Sequence, residues 1–267
     1  MRFPGFVVLI GLCAGCVATP PGPGPAPDPP AFADGGQPLR RAVVAGLTAV
    51  DPAAYNGWRG SCPGADVDAE VFAELCREQG VATLSMRNEE ATRAGFEGAV
   101  RSALRGMSAG DLLVLYLSGH GGQVADGDAT EPDGLSETLC LWDGEMTDTY
   151  LSGILADVPA GARVFLVTDT CNSGTNYRRR RNLRRAMPAP FAAALIHFGG
   201  CADGASSYGS AQGGVFTTAL IDAWRDGISY KAWFEEAERL MRSHPQVPVY
   251  DEYGAVTDEF RHGQAFR

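Results

Sequence analysis

Two short segments of this chain carry residue types that together can do covalent chemistry. Leu117-Ser118-Gly119-His120-Gly121-Gly122 presents an imidazole between glycines, and Thr168-Asp169-Thr170-Cys171-Asn172-Ser173-Gly174 presents a thiol 51 residues later. A thiolate is a strong nucleophile, and a histidine can take its proton and later give one to a leaving amine. Glycine leaves the backbone open to close approach, so the N–H groups of Gly121 and Cys171 are candidate donors to a developing oxyanion. A phosphate-cradling loop is the rival use of Gly119 to Gly122, but the third glycine of the dinucleotide fingerprint is missing and acids follow, which phosphate would avoid. Taken singly, the cysteine reads as a small buried hydrophobe and the histidine as structural. Their joint chemistry depends on the elements that position them.

Each segment closes an apolar run, Leu112–Leu117 and Arg163–Thr168, that reads as a strand. The first is apolar on both faces, as a central strand of a parallel sheet would be. Arg41–Leu47, Val81–Met86 and Ala192–Phe198 read as further strands. Helical spacing marks Asp66–Glu78, with Val67, Val71, Phe72, Leu75 and Cys76 as its apolar face, then Thr92–Met107 and Thr147–Leu155. Two closing helices follow, around Val215–Trp224 and Trp233–Met241. This alternation predicts one α/β domain, a largely parallel sheet with helices on both faces. Such sheets gather ligands and chemistry at the carboxyl ends of their strands. His120 and Cys171 both lie at such ends, and neighbouring strands would bring them face to face.

The chain has 267 residues, 45% of them apolar, and a formal charge of −10 from 32 acids and 22 bases, which argues against nucleic acid as a partner. The average hides a contrast, because six of the bases fall within Arg178–Arg185. Nine of the 17 prolines fall within the first 38 residues. Residues 1–16 read as a signal peptide with the apolar core Phe6–Leu12, too short to span a bilayer permanently. Small residues lead to Cys16 as in a bacterial lipoprotein signal, although Cys13 stands where such signals usually carry Leu. The expectation is an exported domain held at the cell envelope by a lipid on Cys16, with ordinary secretion as the alternative. Residues 17–38 form a Pro/Gly/Ala tether, and residues 39–267 the folded domain. Outside the leader remain Cys62, Cys76, Cys140, Cys171 and Cys201. Five is odd, so at least one is free or paired between molecules, and the pairing of the others stays open.

Ser118-Gly-His-Gly121 and Asp169-Thr-Cys-Asn-Ser-Gly174 resemble the histidine and cysteine segments of the caspase-like peptidases, most closely the metacaspases and their bacterial relatives. The resemblance runs from residue 41 to about 248. It takes in Gly64-Ala-Asp-Val-Asp-Ala69, Asp133-Gly-Leu-Ser-Glu-Thr-Leu139, Gly214-Val-Phe-Thr217 and Gln246-Val-Pro248. It implies a caspase-like fold and a cysteine endopeptidase, with His120 and Cys171 as catalytic pair. It further implies cleavage after arginine or lysine, with Asp68 and Asp169 in the primary specificity pocket and a basic peptide or protein as partner. The physics agrees for a guanidinium, which in a partly buried pocket needs charged, hydrogen-bonded partners. For Asp68 alone, a carboxylate favoured by the helix dipole is the competing reading.

Between Arg105 and Arg163 no arginine or lysine occurs, while acids from Asp126 to Asp148 crowd beside the histidine segment. They read as a solvated loop, as attraction for basic substrates, or, as in many metacaspases, as a calcium site with Asp133 and Asp148 as candidate ligands. Ser136 and Arg178 stand where that family usually has acids, so no cofactor is required by the reading. Arg178–Arg185 follows the thiol by seven residues and reads as an exposed loop that an arginine-specific enzyme could cut in itself. Metacaspases are generally monomers, and a monomer is expected here. The alternative to an enzyme is a caspase-like envelope lipoprotein that only binds a partner.

Overall fold

The computed structural model describes Phe32 and residues 38–125, 134–171, 173, 191–202 and 204–267. The leader, nearly all of the tether, Asp126–Asp133, Asn172 and the Arg178–Arg185 run lie outside the described residues.

Among them the chain runs β1 (Arg40–Gly46), α1 (Ala65–Glu78), β2 (Ala82–Arg87), α2 (Arg93–Leu104), β3 (Leu112–Ser118), β4 (Gly121–Ala125), β5 (Leu135–Leu141), β6 (Gly144–Thr147), α3 (Asp148–Leu155), β7 (Arg163–Asp169), β8 (Ala194–Gly199), β9 (Gly209–Ser210), β10 (Gly213–Gly214), α4 (Val215–Ala223), α5 (Tyr230–Met241), β11 (Val249–Gly254) and α6 (Asp258–His262). The main sheet has the order β11-β8-β7-β3-β1-β2. All its pairings are parallel except β11 with β8. Helices α2, α3, α5 and α6 open on Thr92, Thr147, Ser229 and Thr257, whose hydroxyls accept from the amides of Gly95, Tyr150, Ala232 and Phe260 and so satisfy backbone donors that the helix cannot.

Alternate residues of the central strands serve two cores, because successive side chains of a strand point to opposite faces. On one face Val44, Val114, Tyr116, Phe165 and Phe198 pack against α1, α4, α5 and α6. On the other, Val43, Leu113, Leu115, Val164 and Leu166 pack against α2 and α3. The expected mostly parallel sheet covered on both faces is therefore what forms. Phe72 of α1 stacks on Tyr116 at 4.3 Å between ring centroids. Each fully buried ring of this kind contributes about 2 kcal/mol through the water it excludes. The Tyr116 hydroxyl, buried with its ring, finds Thr217 Oγ1 at 2.6 Å.

Three features differ from the expectation. Helix α1 buries Asp68, Ala69, Phe72, Ala73 and Cys76 and leaves Val67 and Val71 exposed, so its inward face is rotated toward an acid. The segment expected as an acidic loop contributes a three-stranded antiparallel sheet, β4-β5-β6, whose Leu139, Leu141 and Met146 join the second core. Strand β11, Val-Tyr-Asp-Glu-Tyr-Gly, has no apolar run to announce it. It is an edge strand, where charge protects against pairing with another chain. No helix among the described residues is long and apolar enough to cross a membrane.

Candidate active site

Strands β3 and β7 are neighbours, with Ser118 paired to Asp169, so the segments carrying His120 and Cys171 leave the sheet side by side at one end. Gly119 N–H donates to the Asp169 carbonyl at 3.3 Å. The Gly121 backbone lies so close to the Cys171 carbonyl oxygen that a Cβ there would collide with it. Glycine at 121 is thus a condition for the two loops to meet. The Cys140 amide donates to the His120 carbonyl at 3.0 Å, tying the histidine loop to β5.

His120 and Cys171 are both partly buried. The imidazole lies 4.8 Å, centroid to centroid, from the ring of Trp58, which is edge-on to Tyr55. Its Nε2 is 3.2 Å from the Ser61 carbonyl oxygen. A carbonyl can only accept, so Nε2 carries a proton in this contact, and in the neutral ring the lone pair then lies on Nδ1. That is the state a general base must be in. The Cys171 sulfur accepts from the Ser207 amide at 3.4 Å. Among the described residues no hydrogen bond joins Sγ to the imidazole. A resting site of this kind is often loosely aligned and tightens on substrate.

The two acids come together beside this pair. Asp68 is 3% exposed and accepts from Ser118 Oγ and Gly214 N, each at 2.8 Å. Asp169 is 4% exposed; its Oδ2 accepts from Thr217 N at 3.1 Å and Thr217 Oγ1 at 2.8 Å, and its Oδ1 from Ser207 Oγ. A Cβ on Gly214 would collide with Asp169 Oδ2 and stand 3.0 Å from Asp68 Oδ2, so both carboxylates pack against this glycine. Burial, reinforced by the Asp169 charge, pushes the Asp68 carboxyl up to about 6 against the two hydrogen bonds that pull it down. Burial also raises Asp169, against its bonds from Ser207 and Thr217. Two buried like charges without a cation between them are costly. The Cys62 thiol, beside Ser61, is raised to about 11 by burial and by Asp169, Asp68 and Cys171 in that order.

Several residues that build the site escaped the sequence reading as contributors. Ser61 and Trp58 carry no motif. Gly214 and Thr217, and Gln246, belonged to segments whose role the sequence left unassigned; the first two bind the acids, and Gln246 holds the loop carrying Ser207. Of the candidate calcium ligands, Asp133 lies outside the described residues, and Asp148 is fully buried at the first position of α3. Among the described residues no three His, Cys, Asp or Glu side chains stand close enough together to hold a metal ion. Cys62, Cys76, Cys140 and Cys171 are free thiols here.

A caspase domain matches residues 45–257. Metacaspase-1 of Mycosarcoma maydis is 30% identical over 51% of this chain and 36% of its own length. Metacaspase-1 of Arabidopsis thaliana is 32% identical over 59% of this chain and 47% of its own. The chain thus spans less than half of these curated relatives. A solved protein from Geobacter sulfurreducens is 32% identical, with a TM-score of 0.75 over 86% of this chain and 98% of that one. Caspase-1 from Spodoptera frugiperda, at 14% identity and a TM-score of 0.57 over 86% and 92%, shares the fold.

Proposed function

From the premise that this chain belongs to the caspase domain family, we propose that it is a cysteine endopeptidase that cleaves peptide bonds after arginine or lysine. The observation that carries the specificity is the convergence of buried Asp68 and Asp169 at Gly214, next to the strand ends bearing His120 and Cys171. Two carboxylates can grip a guanidinium from both sides, with charge-assisted bonds that a neutral side chain cannot make.

In this reading His120 Nδ1 takes the Cys171 proton, and the thiolate attacks the carbonyl carbon. The resulting oxyanion is held by the N–H groups of Gly121 and Cys171. His120 returns the proton to the departing amine, leaving a thioester that water, deprotonated by the same imidazole, then hydrolyses. The Ser61 carbonyl holds the Nε2 proton throughout, so that Nδ1 is the nitrogen that takes and returns the proton. The Arg178–Arg185 run is then a self-cleavable linker, and the leader ending at Cys16 anchors the domain to the envelope by lipid. Asp133 and Asp148 remain the candidate positions for calcium.

The test is hydrolysis of fluorogenic peptides ending in Arg, Lys, Asp or Asn, with and without calcium. Cleavage after Arg and Lys only is expected, and hydrolysis of none of the four would favour a non-enzymatic binding role. A pH titration adds a sharper check. Below about 6 Asp68 holds a proton that an incoming cation must displace. KM for an arginyl peptide therefore rises as pH falls through 6, approaching tenfold per pH unit, while KM for a citrulline analogue stays level. A KM for arginine that is flat from pH 7 to 5 would remove Asp68 from the pocket.

A further inference from the structure

One residue touches both halves of the site. Ser207 donates its hydroxyl to Asp169 Oδ1 and its amide to the Cys171 sulfur. It is held from behind by Gln246, which is 3% exposed and whose Nε2 donates to Ser207 Oγ at 3.0 Å and to the Gly200 carbonyl at 2.9 Å. The Gln246 Oε1 accepts from the Tyr208 amide at 2.9 Å. With Thr217 taking Oδ2 twice, Oδ1 is the oxygen of Asp169 that a substrate can win, and Ser207 occupies it.

From this network we infer that Ser207 is a positioning residue that couples occupation of the acidic pocket to release of the Cys171 thiol. This inference rests on the arginine pocket proposed above. In the empty site the Ser207 hydroxyl satisfies Asp169 while its amide holds Sγ, and the sulfur makes no bond to His120. A guanidinium entering the pocket forms a charge-assisted bond to Asp169, which is stronger than the neutral hydroxyl's. Displaced from Oδ1, Ser207 keeps only its side-chain contact with Gln246, its amide shifts away from Sγ, and the thiol is free to turn to His120. The nucleophile thereby becomes available when the correct side chain is bound, so discrimination enters the chemical step as well as binding. The sequence offers no sign of this, because Ser207 sits in an unremarkable Ala-Ser-Ser-Tyr run.

The thiol can be read directly by its rate of alkylation with iodoacetamide, in which the thiolate displaces iodide, followed at Cys171 by peptide mass mapping on the full chain. Agmatine supplies a guanidinium without a scissile bond, and its binding is measured separately by competition with arginyl-peptide hydrolysis. Saturating agmatine should speed alkylation of wild-type Cys171 about three- to tenfold, the value of one modest hydrogen bond. Ser207→Ala should react fast without agmatine and gain nothing from it, while Ser207→Thr, which keeps hydroxyl and amide, should restore the dependence. Agmatine that binds without changing the wild-type rate, or that accelerates Ser207→Ala equally, overturns the coupling and leaves the pocket standing. Agmatine that fails to compete at all removes the arginine pocket and the coupling with it. The wild-type measurement alone decides the matter should a variant fold poorly.

Discussion

Cys171→Ala should hydrolyse arginyl peptides about 10,000-fold or more slowly than the wild-type chain. The size follows from what the thiol contributes: without a nucleophile there is no thioester, and only binding and the oxyanion donors remain. His120→Ala should lose a similar amount, because the pair acts as a unit in which each member is useless alone. The double variant should therefore be no slower than the worse single one. Losses that multiplied in the double variant would mean that the two residues serve separate steps. The same Cys171→Ala chain tests self-processing, since it should run as one band where the wild type runs as two fragments cut within Arg178–Arg185. An intact wild-type chain that is actively turning over peptide would remove that linker from the reading without touching the catalytic pair.

The neighbourhood of His120 and Cys171 was legible in the sequence because strand ends in a parallel sheet are a structural address. Leu112–Leu117 and Arg163–Thr168 announce themselves as buried strands, and β3 and β7 do pair, Ser118 against Asp169. What periodicity could not reveal is which polar residues the fold turns inward. Val67 and Val71 look like a core face by residue type, yet Asp68 is the side chain that α1 buries, because Ser118 and the Gly214 amide wait there to bond it. Burial of an acid is decided by partners that lie 50 and 146 residues away. Backbone partners leave no trace in side-chain pattern at all. The Ser61 carbonyl that sets the His120 tautomer and the Ser207 amide that meets Cys171 could have been supplied by nearly any residue type. The β4-β5-β6 sheet was hidden for a different reason: its acids suggested a solvated loop, whereas Leu139, Leu141 and Met146 anchor its strands in the core.

The proposed arginine pocket would set function against stability, and Asp169→Asn and Asp68→Asn measure both sides. Either change keeps shape and most hydrogen bonds, since an amide can accept from Thr217 or Gly214 with its oxygen and donate to Ser207 or Ser118 with its nitrogen. What is lost is one negative charge of the proposed cation pocket. Removing one member of a buried, hydrogen-bonded ion pair costs about 3–5 kcal/mol, so kcat/KM for arginyl peptides should fall at least about 100-fold. Cleavage of a citrulline peptide, already slow, should hardly change. The empty enzyme responds in the opposite sense. Because the folded Asp68 carboxyl lies at about 6 and its ordinary value is 3.8, the folded state binds the extra proton between those values. Its contribution to stability is fully present below 3.8 and is lost as pH rises through 6, which at pH 7 amounts to about 3 kcal/mol at most. Asp68→Asn removes that penalty, so its melting temperature at pH 7 should exceed that of the wild type by several degrees, with the gap closing toward pH 4. A variant that lost arginine cleavage and also melted lower at pH 7 would mark Asp68 as a structural acid. A more stable variant with impaired cleavage identifies a site whose strain is retained because the substrate's charge relieves it.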